Sequence, residues 1–228
     1  MSTQGQRRAL LLGATGLVGS KLLTQLIQHE DYRAIATLGR RAPDLAHNKV
    51  SHHIDDFSAG ALHAAVPDAD VLFCCLGTTI RQAGSQLAFR AIDYDLVVNI
   101  ARQARKNGTE SFIVVSSVGV NADIGNFYLR TKGEMEQAVA QLGYACCGIV
   151  RPSLLLGARH ELRPAEQIGQ YAARLVNPLL PRRLAKYRAV DDRTVAAAMI
   201  GLDQADCTGT RIIEGDEITN FAGDSACR

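Results

Sequence analysis

Arg8-Ala-Leu-Leu-Leu-Gly-Ala-Thr-Gly-Leu-Val-Gly19 is an apolar run that breaks into three glycines and resumes as a helical pattern, which reads as strand, turn and helix. Gly13, Gly16 and Gly19 follow a GxxGxxG spacing. In such a loop the first glycine allows a tight turn, the second lets the backbone approach a ligand, and the third lets the helix sit closely on the strand. Leu17, Val18, Leu22, Leu23, Leu26 and Ile27 then recur at helical spacing. The loop therefore opens onto a helix N-terminus, whose free backbone N–H groups suit a phosphate. Glycines also end strands for purely structural reasons. Here the triplet follows an early strand, opens a helix and precedes a second strand end about 20 residues on, the layout of a dinucleotide-binding unit.

The length of 228 residues suits one large domain, or one domain with a small appended lobe, with core enough to dispense with disulfides. A net charge of +2 gives nucleic-acid binding no support. Residues 1–8 are polar and basic with no apolar core behind them, and no apolar run approaches the ~20 residues of a membrane span. The expectation is a cytoplasmic protein with neither a membrane nor a nucleic-acid partner. Four of the six cysteines are neighbours, Cys74-Cys75 and Cys146-Cys147, inside apolar strands whose successive side chains face opposite ways. They read as small hydrophobes in a reduced compartment. There is no CxxC, the histidines are scattered and His52-His53 diverge along a strand, so no metal site is expected.

Along the chain, the strand at 34–38 ends in Gly39-Arg40-Arg41 with no acid. A free ribose 2′-hydroxyl calls for Asp or Glu at this point, whereas a 2′-phosphate calls for arginine, so the pair favours NADP(H) over NAD(H). Asp55, after the strand at 50–54, is a candidate for capping the next helix or for meeting the adenine amino group. The doubly buried strand at 69–76 ends in Leu76-Gly77-Thr78, at a strand end where ligands bind in open α/β sheets. A helix is expected over 91–106, closed by Asn107-Gly108, and a fifth strand over 111–117. Tyr128 and Lys132 follow, four apart on one face near the start of a helix. That places an ammonium where it lowers the tyrosine pKa, as a general acid working near neutral pH needs. A sixth strand runs over 144–150 to Arg151-Pro152. Residues 157–209 read as a small C-terminal substrate lobe, with seven basic side chains between 159 and 188 against Glu161 and Glu166. A helix over 192–202, a strand over 211–214 and a mobile tail over 220–228 close the chain.

GATGLVG (13–19), LGRR (38–41), FCCLGTT (73–79), VVSS (114–117) and YLRTK (128–132) resemble the short-chain dehydrogenase/reductase superfamily in its extended or atypical branch. The set is most similar to the Tat-interacting oxidoreductase-like proteins and their bacterial relatives. The likeness extends through RPSLLLGARHELRP (151–164). It implies an α/β fold, a doubly wound parallel Rossmann sheet in the order 3-2-1-4-5-6-7, with NADPH as cofactor. Carried onto this sequence, Thr15, Gly16, Leu17 and Val18 lie against the pyrophosphate, Arg40 and Arg41 at the 2′-phosphate, and Leu76 and Gly77 on the ribose side. Tyr128 and Lys132 are the catalytic pair and also contact the cofactor, with Ser117 the first choice for the catalytic serine and Ser116 the alternative. Pro152 to Leu154 flank the nicotinamide and Arg159 reaches a cofactor phosphate. The implied activity is NADPH-dependent reduction of a carbonyl-type small molecule by a monomer or homodimer. The alternative is an NADPH-binding, redox-sensing regulator without turnover. A nucleotide-sugar epimerase is disfavoured, because a C-terminal region of about 50–70 residues is small for the sugar lobe.

Overall fold

The computed structural model describes residues 7–58, 62–153, 155–156, 189–205 and 207–226. The leucine run of β1 (Arg7–Leu12) is apolar on both faces because it lies at the centre of a sheet covered on both. Ala9 and Leu11 join one buried cluster while Leu10 and Leu12 join the other, the two-residue alternation of a strand. Flanking it are β2 (Tyr32–Gly39) and β4 (Val71–Cys74), with β3 (Val50–Ile54) at the edge beyond β2. β5 (Ser111–Val115) and β6 (Cys146–Arg151) continue the other side. A separate short ladder joins β7 (Leu155–Leu156) to β8 (Val190–Asp191), and β9 (Gly209–Glu214) is the far edge of the main sheet. The seven strands run β3-β2-β1-β4-β5-β6-β9, all parallel. This is the doubly wound arrangement expected, and a parallel sheet leaves its ligand-binding loops at the strands' C-terminal ends.

The helices are α1 (Leu17–Gln28), the short α2 (Ile80–Ala83) and α3 (Gln86–Arg90), α4 (Val97–Lys106), α5 (Phe127–Ala140), α6 (Asp192–Gln204) and α7 (Asp216–Ala226). Between α3 and α4 the chain widens into a π-helical turn, Ala91–Leu96. Leu22, Leu26, Val195, Met199 and Ile218 put α1, α6 and α7 on one face of the sheet. Val97, Ile100, Met135 and Val139 put α4 and α5 on the other.

Two of the departures from expectation lie in the C-terminal part of the chain. Residues 220–226 continue α7 instead of forming a mobile tail. Ile218 is fully buried, and a Cβ on Gly201 of α6 would stand 2.4 Å from the Phe221 carbonyl oxygen. The apolar stripe of Ile218, Phe221 and Ala222 is split by a tail that begins at 220, which hides its helical spacing. Residues 192–204, assigned in sequence to the substrate lobe, pack into the main core as α6. Of that lobe, 157–188 and 206 lie outside the described residues.

The N-terminal edge of the sheet is closed by a polar knot. Arg7 lies 3.1 Å from the Asp203 carboxylate and donates to Ser111 Oγ at 3.1 Å, while the Tyr32 hydroxyl donates to Asp203 Oδ2 at 2.7 Å. Burial pushes the Asp203 carboxyl up and the Arg7 guanidinium opposes it.

Candidate active site

Gly13 turns out of β1 with φ 77°, and a Cβ there would stand 2.6 Å from the Cys75 carbonyl oxygen. The turn is thus pressed against the end of β4, where only glycine fits. Gly16 N–H donates to the Gly13 carbonyl at 2.9 Å, and Gly16 begins α1 without a side-chain cap. A Cβ on Gly19 would meet the same Gly13 oxygen at 2.1 Å. The third glycine therefore seats the helix against the loop rather than against the strand. Thr15 and Gly16 are exposed and Leu17 is half-buried, so the uncapped first turn of α1 faces outward beside them. Backbone donors so placed suit a pyrophosphate, a fit that rests on the chain's own geometry. The Val18 side chain is in the core, which leaves only its backbone to serve a ligand.

On the α4–α5 side the sequence-predicted pair is present, with a partner that the sequence reading missed. Asn126 caps α5 by accepting from Leu129 N–H at 3.1 Å, which sets Tyr128 in the first turn and Lys132 one turn later. Gly133 lies so near the loop after β5 that a Cβ would stand 2.5 Å from Ala122 N, which docks the helix on that loop. Lys132 is buried, and its Nζ lies 2.7 Å from Asp93 Oδ1 in the π-helical turn. Asp93 Oδ2 accepts from Thr78 N–H at 3.0 Å. A Cβ on Gly77 would lie 3.6 Å from Lys132 Nζ and 3.7 Å from Asp93 Oδ1, so the loop after β4 roofs the ion pair. Burial alone would lower the Lys132 pKa; the Asp93 carboxylate, and after it Tyr128, outweigh burial and raise it. Burial likewise pushes Asp93 up, against the pull of Lys132. The missed signal was visible, since Asp93, Val97, Ile100 and Ala104 follow one helical stripe that is apolar except for the acid.

Tyr128 is half-buried, its ring 5.3 Å from that of Phe89. The two serines separate by face. Phe112 and Val114 belong to the α4–α5 layer and Ile113 to the other. The ladder continues past β5 through Ser116 N–H to the Val150 carbonyl at 2.7 Å, so the alternation carries Ser116 to the α5 side. Its buried hydroxyl has no hydrogen-bond partner among the described residues. Ser117 is half-exposed, its hydroxyl 3.5 Å from the Val118 carbonyl.

Arg40 and Arg41 are exposed at the end of β2, and no ion pair holds them among the described residues. The oxygens of Asp55 accept from the backbone N–H groups of Phe57, His63 and Ala64, which tie its own loop. The carboxyl stays below its ordinary value despite burial because those N–H groups favour the charged form. Asp55, Asp56 and His63 bring ligand-type atoms within 4.8 Å of one another, yet Asp56 accepts from Ser58 N–H and His63 Nε2 bonds Ser58 Oγ, so the cluster is loop architecture. Pro152 is buried just past β6 and accepts from Val118 N–H at 3.0 Å. Leu154 and Arg159 lie outside the described residues.

Residues 13–161 match the NAD(P)H-binding family. Protein fmp52-1, mitochondrial, of Aspergillus terreus is 36% identical over 169 residues, 72% of this chain and 73% of that protein. Protein HTATIP2 of Rattus norvegicus is 34% identical over 198 residues, 85% and 80% of the two chains. Among solved structures, MoeE5 in complex with UDP-glucose and NAD superposes with a TM-score of 0.66 at 15% identity, over 95% of this chain and 81% of that one. A putative NAD-dependent epimerase/dehydratase from Bacillus halodurans gives 0.63 at 19% identity, over 96% and 99%. These two share the fold. The cytoplasmic expectation is overturned, because the fungal relatives from Aspergillus and from Candida albicans are named mitochondrial. The polar, basic character of residues 1–8 carries no address. Among the described residues no helix is long and apolar enough to cross a membrane. With a Rossmann sheet, an uncapped glycine loop on α1 and these relatives, the chain belongs to the NAD(P)H-binding family, and its cofactor is a nicotinamide dinucleotide.

Proposed function

We propose that the protein is an NADP(H)-dependent oxidoreductase that reduces the carbonyl group of a small molecule, with Tyr128 as proton donor. The observation that carries the reading is the buried Lys132 one helical turn from Tyr128, on the same side of the sheet as a serine hydroxyl with no hydrogen-bond partner among the described residues. When bound, NADPH supplies a hydride. Tyr128 gives its phenolic proton to the carbonyl oxygen, and a serine hydroxyl donates a second hydrogen bond to that oxygen. We assign this serine role to Ser116 in preference to Ser117, because its burial and its register favour the α5 side. Lys132 holds the nicotinamide ribose. The backbone of Thr15, Gly16, Leu17 and Val18 holds the pyrophosphate, Arg40 and Arg41 the 2′-phosphate, and Leu76, Gly77 and Thr78 the ribose side. Pro152 and Leu154 would flank the nicotinamide, and Arg159 would reach a phosphate.

The test is a panel of aldehydes, ketones and enones with purified protein and NADPH, followed by cofactor oxidation. Once a substrate is found, Tyr128→Phe keeps NADPH affinity by calorimetry and loses turnover by about 10²–10⁴-fold, the usual share of a general acid. Turnover of Tyr128→Phe at the wild-type rate refutes the assignment. A panel with no substrate favours the redox-sensing regulator.

A further inference from the structure

We propose that Asp93 is the positioning residue of the site: it holds Lys132 as half of a neutral pair, tied to the loop after β4, so that Tyr128 works beside a compensated ammonium and not beside a lone cation. The role rests on the oxidoreductase reading above, while the pairing itself does not.

Three segments distant in sequence meet at one carboxylate. Asp93 Oδ1 lies 2.7 Å from Lys132 Nζ on α5, and Oδ2 accepts from Thr78 N–H at 3.0 Å in the loop that ends β4. The lysine and aspartate side chains are 4% and 0% exposed, so water does not screen them. A buried ammonium without a counter-charge would shed its proton; with one it keeps it. The titratable groups that face Lys132 are Asp93 from the π-helical turn, Tyr128 from its own helix and Cys74 from β4. Burial pushes the Cys74 thiol up to about 11, which keeps it neutral. Asp93 therefore supplies the balancing charge at neutral pH. Asp93 sits in the π-helical turn that precedes α4, where it is buried.

A compensated lysine has a consequence opposite to that of a lone one. The field of Lys132 at Tyr128 is reduced to that of a dipole. Removing the Asp93 charge while Lys132 stays protonated then leaves the phenol facing the bare cation. A residue that merely held the fold together would not do this.

The experiment uses full-length protein labelled with ε-¹³C lysine, in which Lys132 is one of only five lysines and is identified by the signal lost in Lys132→Arg. In the wild type Lys132 titrates above the ordinary lysine value; titration at or below it overturns the proposal even if Asp93→Asn does not fold. In Asp93→Asn, which keeps an oxygen for Thr78 N–H, the Lys132 midpoint falls by about 1–3 pH units. An unmoved midpoint overturns the pairing. With a substrate in hand, the basic limb of the pH profile for carbonyl reduction moves to lower pH in Asp93→Asn at a pH where Lys132 is still charged, and a limb that stays in place overturns the positioning role. If the wild type turns over no carbonyl, the oxidoreductase reading fails by itself, and the lysine titration still decides the pairing.

Discussion

Alanine at position 19 drives a methyl group into the carbonyl of the glycine turn. Its Cβ would lie 2.1 Å from the Gly13 oxygen and 2.8 Å from the Gly13 carbonyl carbon, against 3.4–4 Å for ordinary contact. Both neighbours are backbone, and Gly13 is itself pinned against Cys75, so neither can rotate away. Relief requires the first turn of α1 to withdraw by more than about 1 Å, and forced overpacking of this kind costs roughly 1–3 kcal/mol. For a chain of this size about 2–4 °C accompanies each kcal/mol, so Gly19→Ala should melt about 2–12 °C below the wild type. The control is Gly16→Ala, whose Cβ would meet the same oxygen at 3.1 Å and ask for a shift of only a few tenths of an ångström. That variant should melt near the wild type and lose NADPH affinity, because its methyl would stand where the proposed pyrophosphate site lies. Thermal melts by circular dichroism and calorimetric NADPH titrations read both. A Gly19→Ala variant that melts with the wild type refutes the packing argument, and a Gly16→Ala variant that binds NADPH normally moves the phosphate loop elsewhere.

Replacing Arg40 and Arg41 together by alanine should weaken NADPH binding tenfold or more and leave NADH binding unchanged, since each hydrogen bond to a charged group is worth about 1.5–3 kcal/mol; equal losses for both cofactors in calorimetry would contradict the 2′-phosphate assignment. Tyr32→Phe strips the donor from Asp203 Oδ2 in the buried knot and should cost about 1–3 kcal/mol in urea unfolding without changing cofactor affinity; an unchanged midpoint would mean that the knot is not a stabilising contact.

The glycine loop was legible because its constraints are local: positive φ at Gly13 and close backbone approaches at Gly13 and Gly19 demand glycine whatever the rest of the chain does. The parallel sheet was legible for a related reason, since β1 and β4 are apolar at every buried position and so must be covered on both faces. Asp93 was not read as a site residue because its meaning depends on Lys132, a contact that exists only once α5 is docked on the sheet. The choice between Ser116 and Ser117 is a matter of register, where a shift of one residue reverses the face, and composition is silent about register. The loop contacts of Asp55 were not legible, because a carboxylate after a strand looks the same in sequence whatever it accepts from. The final helix escaped notice because its apolar stripe is short and packs on Gly201, whose role is to be small.

The knot at the N-terminal ends of the strands bears on the order in which the molecule assembles. Arg7 and its Asp203 acceptor are separated by 196 positions, and Tyr32 and Asp203 by 171. The central strand emerges first during synthesis and yet finds its last partners only when α6 has been made. Contacts of such long range are slow to form, and an unfinished chain keeps its leucine-rich centre open to other chains in the meantime. The glycine loop, for all its local character, thus rests on a framework that is complete only after nearly the whole polypeptide exists.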